Sequence, residues 1–196
     1  MKTVEFFYDF GSATAYLAHT QMPGLAKRTG ATVAYRPMLL GGVFKATGNQ
    51  SPVMIPAKGA YMGVDLPRFA KRYGVVFRMN PYFPINTLVL MRGAVAAERL
   101  GKLMAYANAV FDAIWVNSRN LNDPAETAKV WAEAGFDPQA LFAATQDQSV
   151  KDALKASTDE AIARGAFGAP TFYVGSEMFW GQDRIDFVEE ALRKSP

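Results

Sequence analysis

Few residues in this chain can do chemistry, and the most telling is Ser12. It stands in the stretch T-V-E-F-F-Y-D-F-G-S-A-T-A-Y-L-A of residues 3–18, where a β-branched and aromatic run gives way to helix formers. That change predicts a strand Thr3–Tyr8, a turn at Gly11-Ser12, and a helix from Ala13 with Ser12 as its N-cap. A helix N-terminus presents unpaired N–H groups and about half a positive charge, so an anion is expected beside Ser12. The same serine also reads as a plain cap. There is no cysteine, which excludes disulfides, thiolate metal sites and a cysteine nucleophile of the chain's own. The one histidine, His19, lies two turns further along the helix with its side chain directed away from the cap. It is expected to be a satisfied or surface histidine, not the base of a Ser-His-Asp triad. With one histidine and no carboxylates at ligand spacing, no metal site is expected.

The elements that must position Ser12 follow from the pattern around it. The first helix runs to about Thr29, Gly30 stops it, and residues 31–36 make a second strand. A helical crossover between the two strands predicts a parallel pair. Pro37 ends the second strand, and Gly41, Gly42, Gly48, Pro52 and Pro56 predict a loop-rich passage over residues 39–56. Long irregular segments are often functional, and this one holds Asn49 and ends near Lys58, both able to reach back to Ser12. Helical spacing then takes over, with helices over residues 57–64, 66–73, 87–100, 102–116, 124–134 and 138–145, and a loop over 74–86. After a helix over about 150–164, residues 168–174 and 177–180 read as a hairpin, and residues 181–184 cap a final helix through Leu192. A two-stranded piece is not stable alone, so strands from both ends must share one sheet. The expected organisation is an α/β domain of residues 1–40 and 149–196 interrupted by an all-helical insertion of residues 41–148.

Composition limits the partners. Half of the 196 residues are apolar, enough for a sizeable core, and the net charge of +3 comes from scattered Lys and Arg, without the basic runs of a nucleic-acid surface. The longest apolar region, residues 88–116, is broken by Arg92, Glu98, Arg99, Lys102 and Asp112, so no membrane span is expected. The N-terminal strand carries Glu5 and Asp9 and lacks the apolar core of a secretory signal, which points to a cytoplasmic protein.

This element order is that of the thioredoxin fold with a helical insertion. The run F-Y-D-F-G-S-A-T-A-Y-L-A of residues 7–18 resembles the active-site opening of the DsbA-like superfamily. Within it the chain resembles the cysteine-free branch of kappa-class glutathione transferases and 2-hydroxychromene-2-carboxylate isomerases. Further matches in order are Gly48-Asn49, P-A-K-G-A-Y-M at 56–62, G-A-F-G-A-P at 165–170 and G-Q-D-R at 181–184. Redox members carry C-x-x-C at the positions of Ser12 and Ala15, so dithiol oxidoreductase activity is excluded here. The resemblance implies a cis bond before Pro170, with the Ala169 backbone pairing with glutathione as an added strand. It further implies that Ser12, Ala13 and Thr14 seat the sulfur end, Ser12 donating a hydrogen bond to it, while Asn49, Lys58, Gln182 and Asp183 hold the rest of the tripeptide. A homodimer and a place in aromatic catabolism are likewise implied.

The physics agrees with that implication. A thiol of pKa about 8.5 is only ~3% ionised at pH 7, and lowering it by about two units makes it ~75% thiolate. A hydroxyl donor and backbone N–H groups achieve this without a base. Lys58 suits a glutathione carboxylate and Asp183 its ammonium, although each also reads as a solvated lysine and a helix cap. Two departures from the family stand out. Ala13 and Ala15 leave fewer polar groups around the sulfur, for which Thr14 compensates in part, and Val53-Met54-Ile55 is apolar where the naphthalene-pathway isomerases carry polar and basic residues that grip the substrate carboxylate. Arg78, Asn80, Tyr82 and Asn86 are the candidates for the second-substrate wall, on a loop that also reads as plainly structural. The expected function is a glutathione-dependent isomerase. The alternatives are a kappa-like transferase or peroxidase that consumes glutathione, and a non-catalytic glutathione or peptide binder.

Overall fold

A computed structural model describes residues 2–194. Strand β1 (Thr3–Tyr8) is followed by helix α1 (Ala13–Thr29) and strand β2 (Thr32–Pro37). Strands β3 (Thr171–Val174) and β4 (Glu177–Trp180) come from the far end of the chain and join the same sheet, in the order β2-β1-β3-β4. β1 pairs parallel to β2 from Thr3 opposite Thr32, and antiparallel to β3 with Phe6 opposite Phe172. β1 occupies an interior position, and it sends buried apolar side chains to both faces of the sheet. Val4, Phe6 and Tyr8 enter the larger core, whereas Phe7 points the other way, into a smaller cluster with Met38, Val43, Ala161, Ala166 and Tyr173.

Between the two halves of the sheet lie α2 (Leu40–Thr47), α3 (Pro56–Tyr73), α4 (Leu88–Arg99), α5 (Leu103–Trp115), α6 (Pro124–Glu133), α7 (Pro138–Gln146) and α8 (Gln148–Ala163). Helix α9 (Ile185–Lys194) closes the chain. This is a DsbA-like thioredoxin fold with a helical insertion. The insertion shares its core with the sheet: Phe10, Tyr106 and Phe111 pack in one aromatic cluster, with Phe10 and Phe111 ring centres 4.8 Å apart.

Two local expectations are corrected. Residues 40–47 form a helix, not a loop, despite Gly41 and Gly42 at roughly 1 kcal/mol each against helix. Tertiary contacts outweigh that preference: the Asp9 carboxylate accepts from Leu40 N at the helix start, and the Thr158 hydroxyl accepts from Leu39 N. The second correction joins residues 57–64 and 66–73 into the single helix α3 with Pro67 inside it. Met62, Leu66, Phe69, Ala70 and Tyr73 keep one apolar stripe across Pro67, and burial of that stripe outweighs the hydrogen bond lost at the proline. β3 also begins at Thr171, which leaves Gly168 and Ala169 as irregular backbone beside the sheet.

Candidate functional site

The turn from β1 into α1 is held from below. Asp9 is 1% exposed, its Oδ1 accepting from Gly11 N at 2.8 Å, its Oδ2 from Leu40 N at 2.8 Å, and Thr87 bonding it as well. Burial raises its pKa, opposed by these hydrogen bonds. Trp115 Nε1 donates to the Phe10 carbonyl at 2.8 Å, so the turn is fixed from the insertion side too. The sequence offered one sign of this support, an acidic residue inside the apolar run F-Y-D-F.

Ser12 is the N-cap of α1, as expected, its Oγ accepting from Ala15 N at 3.1 Å. The N–H groups of Ala13 and Thr14 make no hydrogen bond among the described residues. The Ser12 and Thr14 hydroxyls stand 2.9 Å apart, and each is 3.0 Å from the Ala169 carbonyl. Both hydroxyls point at the Ala169 carbonyl, whose two lone pairs can take both protons, and either hydroxyl can instead donate to its neighbour. Ala169 precedes Pro170 through a cis bond, and its own N–H is unpaired among the described residues. Two hydroxyl donors, two free helix N–H groups and a free N–H of the opposite wall therefore meet at one place.

That place opens into a cavity of about 730 Å³, inside the range of small-molecule sites. Ser12, Ala13, Thr14, Asn49, Lys58 and Ala169 all line it, so six of the residues named from sequence are brought together. Lys58 is exposed and makes no ion pair or hydrogen bond among the described residues. The Asn49 amide donates to the Phe167 carbonyl at 2.8 Å and ties the end of α2 to the loop before Pro170. Gly168 allows the Trp180 indole to lie on that loop, since a Cβ there would meet Nε1 at 2.6 Å.

The other named residues lie outside the lining. Pro170 is buried behind Ala169. Gln182 is buried and takes the Tyr73 hydroxyl on both its side-chain and main-chain oxygens, while Asp183 is exposed and paired with Arg184 at 2.6 Å. On the loop of residues 74–87, Asn80 is 2% exposed, its amide donating to the Ile114 and Arg119 carbonyls. Asn86 accepts from Leu88 N, and Arg78 and Tyr82 are exposed. The loop faces the cavity with Met79 and Phe83 instead. Phe44 and Trp180 were also absent from the sequence-based expectation, because an aromatic residue at a core spacing carries no local sign that one face stays open, whereas Trp115, whose spacing reads as core, is buried at 1% exposure behind the same wall.

His19 is far from this chemistry. Its Nε2 is 2.8 Å from Asn108 Oδ1, an acceptor, so Nε2 carries the proton and Nδ1 accepts from the Tyr35 hydroxyl at 2.8 Å. Burial lowers its pKa to about 4, against the Asn108 hydrogen bond. It is the satisfied histidine expected from its spacing. Among the described residues, no group of three or more His, Asp or Glu could hold a metal ion, and no helix is long and apolar enough to cross a membrane.

Comparison with known proteins gives this geometry its relatives. The family model described as DSBA-like thioredoxin domain matches residues 3–193. The 2-hydroxychromene-2-carboxylate isomerase of Sphingobium xenophagum is 32% identical, over 97% of this chain and 98% of that protein. Glutathione S-transferase kappa 1 of Caenorhabditis elegans is 26% identical, over 97% of this chain and 91% of its own. A solved structure of 2-hydroxychromene-2-carboxylate isomerase superposes with a TM-score of 0.88 at 31% identity, covering 97% of this chain and 94% of that one. The relatives are enzymes named as isomerases and glutathione transferases, and the chain belongs to the DSBA-like thioredoxin domain family.

Proposed function

We propose that this protein is a glutathione-dependent isomerase of conjugated aromatic substrates. The observation that carries the reading is the meeting of the Ser12 and Thr14 hydroxyls with the free Ala13, Thr14 and Ala169 N–H groups, in a cavity whose chain has no cysteine to act as nucleophile. Such a site has everything needed to hold a thiolate and lacks the thiolate itself. Glutathione supplies the sulfur. Its cysteinyl backbone pairs with Ala169 as an added strand, giving that carbonyl an N–H donor and releasing the two hydroxyls to the sulfur. Asn49 and Lys58 take the rest of the tripeptide within the cavity, with Lys58 on a carboxylate, and Gln182 with Asp183 beyond Trp180 receive the γ-glutamyl end.

The bound thiolate adds its lone pair to the β-carbon of a conjugated carbonyl compound, forming a C–S bond as the C=C pair moves to leave an enolate oxygen. The former double bond now rotates. The enolate pair then returns, the C–S bond breaks, and glutathione leaves unchanged, with no proton or oxidant consumed. Names of the relatives at 32% and 31% identity favour this reaction. Similarity to the kappa transferases favours a second reading, in which the same thiolate attacks an electrophile and stays on it.

The test is the ultraviolet absorbance of the glutathione thiolate, followed across pH with the protein and with its Ser12→Ala variant. A bound sulfur titrating about two units below free glutathione, and losing that shift in the variant, is the expected result. Glutathione that neither binds nor shifts overturns the reading. Counting free thiol during turnover separates the two reactions: a constant count is isomerisation, and a falling count is transfer.

A further inference from the structure

The cavity that joins the helix start to the loop of Ala169 has an uneven distribution of charge. Of all the side chains lining it, Lys58 alone is charged. The polar lining is confined to Ser12, Thr14, Asn49 and its neighbours Gln50 and Ser51, and the Tyr61 hydroxyl. The rest is aliphatic and aromatic: Leu40 and Phe44 from α2, Val53 and Ile55 from the segment before α3, and Met79 and Phe83 from the loop after it. Trp180, 46% exposed, adds one more ring surface, and Trp115 backs the wall while itself buried.

Resting on the glutathione reading, the charge count becomes a statement about the second substrate. Glutathione brings two carboxylates and one ammonium, and Lys58 is the one cation in the cavity able to meet a carboxylate. With Lys58 so engaged, a second molecule entering against these walls finds rings and aliphatic side chains but no cation. Arg78 is exposed beside Met79 and does not line the cavity. A carboxylate placed there meets no cation, only the neutral donors of Gln50, Ser51 and Tyr61, so its charge is left uncompensated and the charged form is disfavoured. A flat neutral ring system gives up far less by leaving water and gains stacking on Phe83 and the exposed ring of Trp180. We infer that the second substrate of this site is a neutral, planar, conjugated aromatic carbonyl compound that carries no carboxylate.

The experiment compares two matched probes, the cis isomers of benzylideneacetone and benzylidenepyruvate, which differ in the carboxylate. Each is incubated with the protein at saturating glutathione, and its conversion is normalised to its reaction with free glutathione, so that intrinsic electrophilicity cancels. The neutral probe is expected to show a normalised kcat/KM at least about tenfold higher. Val53→Arg, which puts a second cation in the wall, is expected to narrow or reverse that ratio. Equal or faster conversion of the carboxylate probe by the unaltered protein overturns the inference, as does failure to convert the neutral probe when the bound sulfur is ionised. Thiolate absorbance measured on the same samples keeps the two levels apart. Loss of the absorbance shift removes the glutathione reading, whereas a shift with carboxylate preference removes only the neutral-substrate inference.

Discussion

Ser12 at the N-cap of helix α1 and His19 within it stand seven residues apart and meet opposite fates. His19 has a partner on each ring nitrogen, Tyr35 from β2 and Asn108 from α5, and stacks on Phe111 at 4.8 Å between centroids. Its hydrogen-bonding capacity is fully used and its charge is suppressed, with a pKa of about 4. Ser12, about 10 Å back along the axis, has a hydroxyl that shares protons with Thr14 and Ala169 beside N–H groups that have no partner, and all of these line a cavity. A polar group whose bonds are closed inside the fold stabilises the fold. One whose bonds are open to a cavity is available to a ligand. Residue type does not separate the two cases, since histidine is the commoner catalyst and here it is the structural one.

Ser12→Ala breaks the open end of the comparison and has the largest expected effect. Removing one donor aimed at a developing or resting anion costs about 10²–10³ in rate, and the bound glutathione sulfur should titrate near its free value. Loss of the cap itself costs about 1 kcal/mol of stability, measurable by urea unfolding. A variant that loses stability but keeps the thiolate shift would make Ser12 a cap and nothing more.

His19→Gln breaks the closed end. The folded protein holds His19 neutral down to about pH 4, while the unfolded chain binds a proton near the ordinary value of 6.5. Between those values the unfolded state carries more protons, so stability is complete above about pH 6.5 and declines as pH falls toward 4. The decline attributable to this group is on the order of 3 kcal/mol. Urea midpoints at pH 7.5 and 4.5 should therefore differ less for His19→Gln than for the unaltered protein, and glutathione activity per folded molecule should stay within about twofold. An effect on the sulfur's titration would erase the distinction between the two ends of α1.

How far these two ends were legible in the sequence differs for a physical reason. Ser12's place rests on local signals, a β-branched run, a turn and a helix former within ten residues, and the structure keeps each of them. The His19 spacing pointed to a satisfied or surface histidine and did not decide between them, because its partners come from residues 16 and 89 positions away and carry no local mark. The same holds for α2, where Gly41 and Gly42 argued for a loop until Asp9 and Thr158 supplied the missing partners from elsewhere in the chain. On the loop of residues 74–87, polar Arg78, Asn80, Tyr82 and Asn86 drew attention because polarity is readable, whereas Met79 and Phe83 provide its surface in the cavity. Asn80 shows why polarity misleads: its side-chain amide donates to the Ile114 and Arg119 carbonyls and its side-chain oxygen accepts from Tyr82 N, so the side chain is spent on holding the loop in place.

Asp9 sharpens the comparison, because it is a closed polar group directly beneath the open one. Asp9→Asn keeps the shape but leaves one backbone N–H, of Gly11 or Leu40, facing an amide instead of a carboxylate oxygen. The unmade bond costs about 1–3 kcal/mol, partly offset because burial already disfavours the charged form. Stability is expected to fall by about 1–2 kcal/mol in urea unfolding, with the start of α2 and the Gly11 turn showing faster amide exchange. A fall in thiolate formation larger than the fall in stability would mean that Asp9 acts on the sulfur through the position of Ser12.

Thr14→Val gives the smallest effect and the finest distinction. Valine keeps the β-branched shape and removes only the second hydroxyl, so the N–H groups, the cap and the Ala169 wall remain. If the two hydroxyls act as a pair on the sulfur, losing the weaker of the two hydrogen bonds costs roughly 0.5–1.5 kcal/mol, or about two- to tenfold in kcat/KM. The bound thiol should rise by less than one pKa unit, a clear step below the Ser12→Ala effect. If the two variants prove equal, Thr14 acts only by orienting the Ser12 proton, since Ser12 without its neighbour would keep donating to the Ala169 carbonyl. If Thr14→Val changes nothing, the Thr14 proton stays on Ala169 with glutathione bound, and Thr14 belongs with His19 among the closed groups.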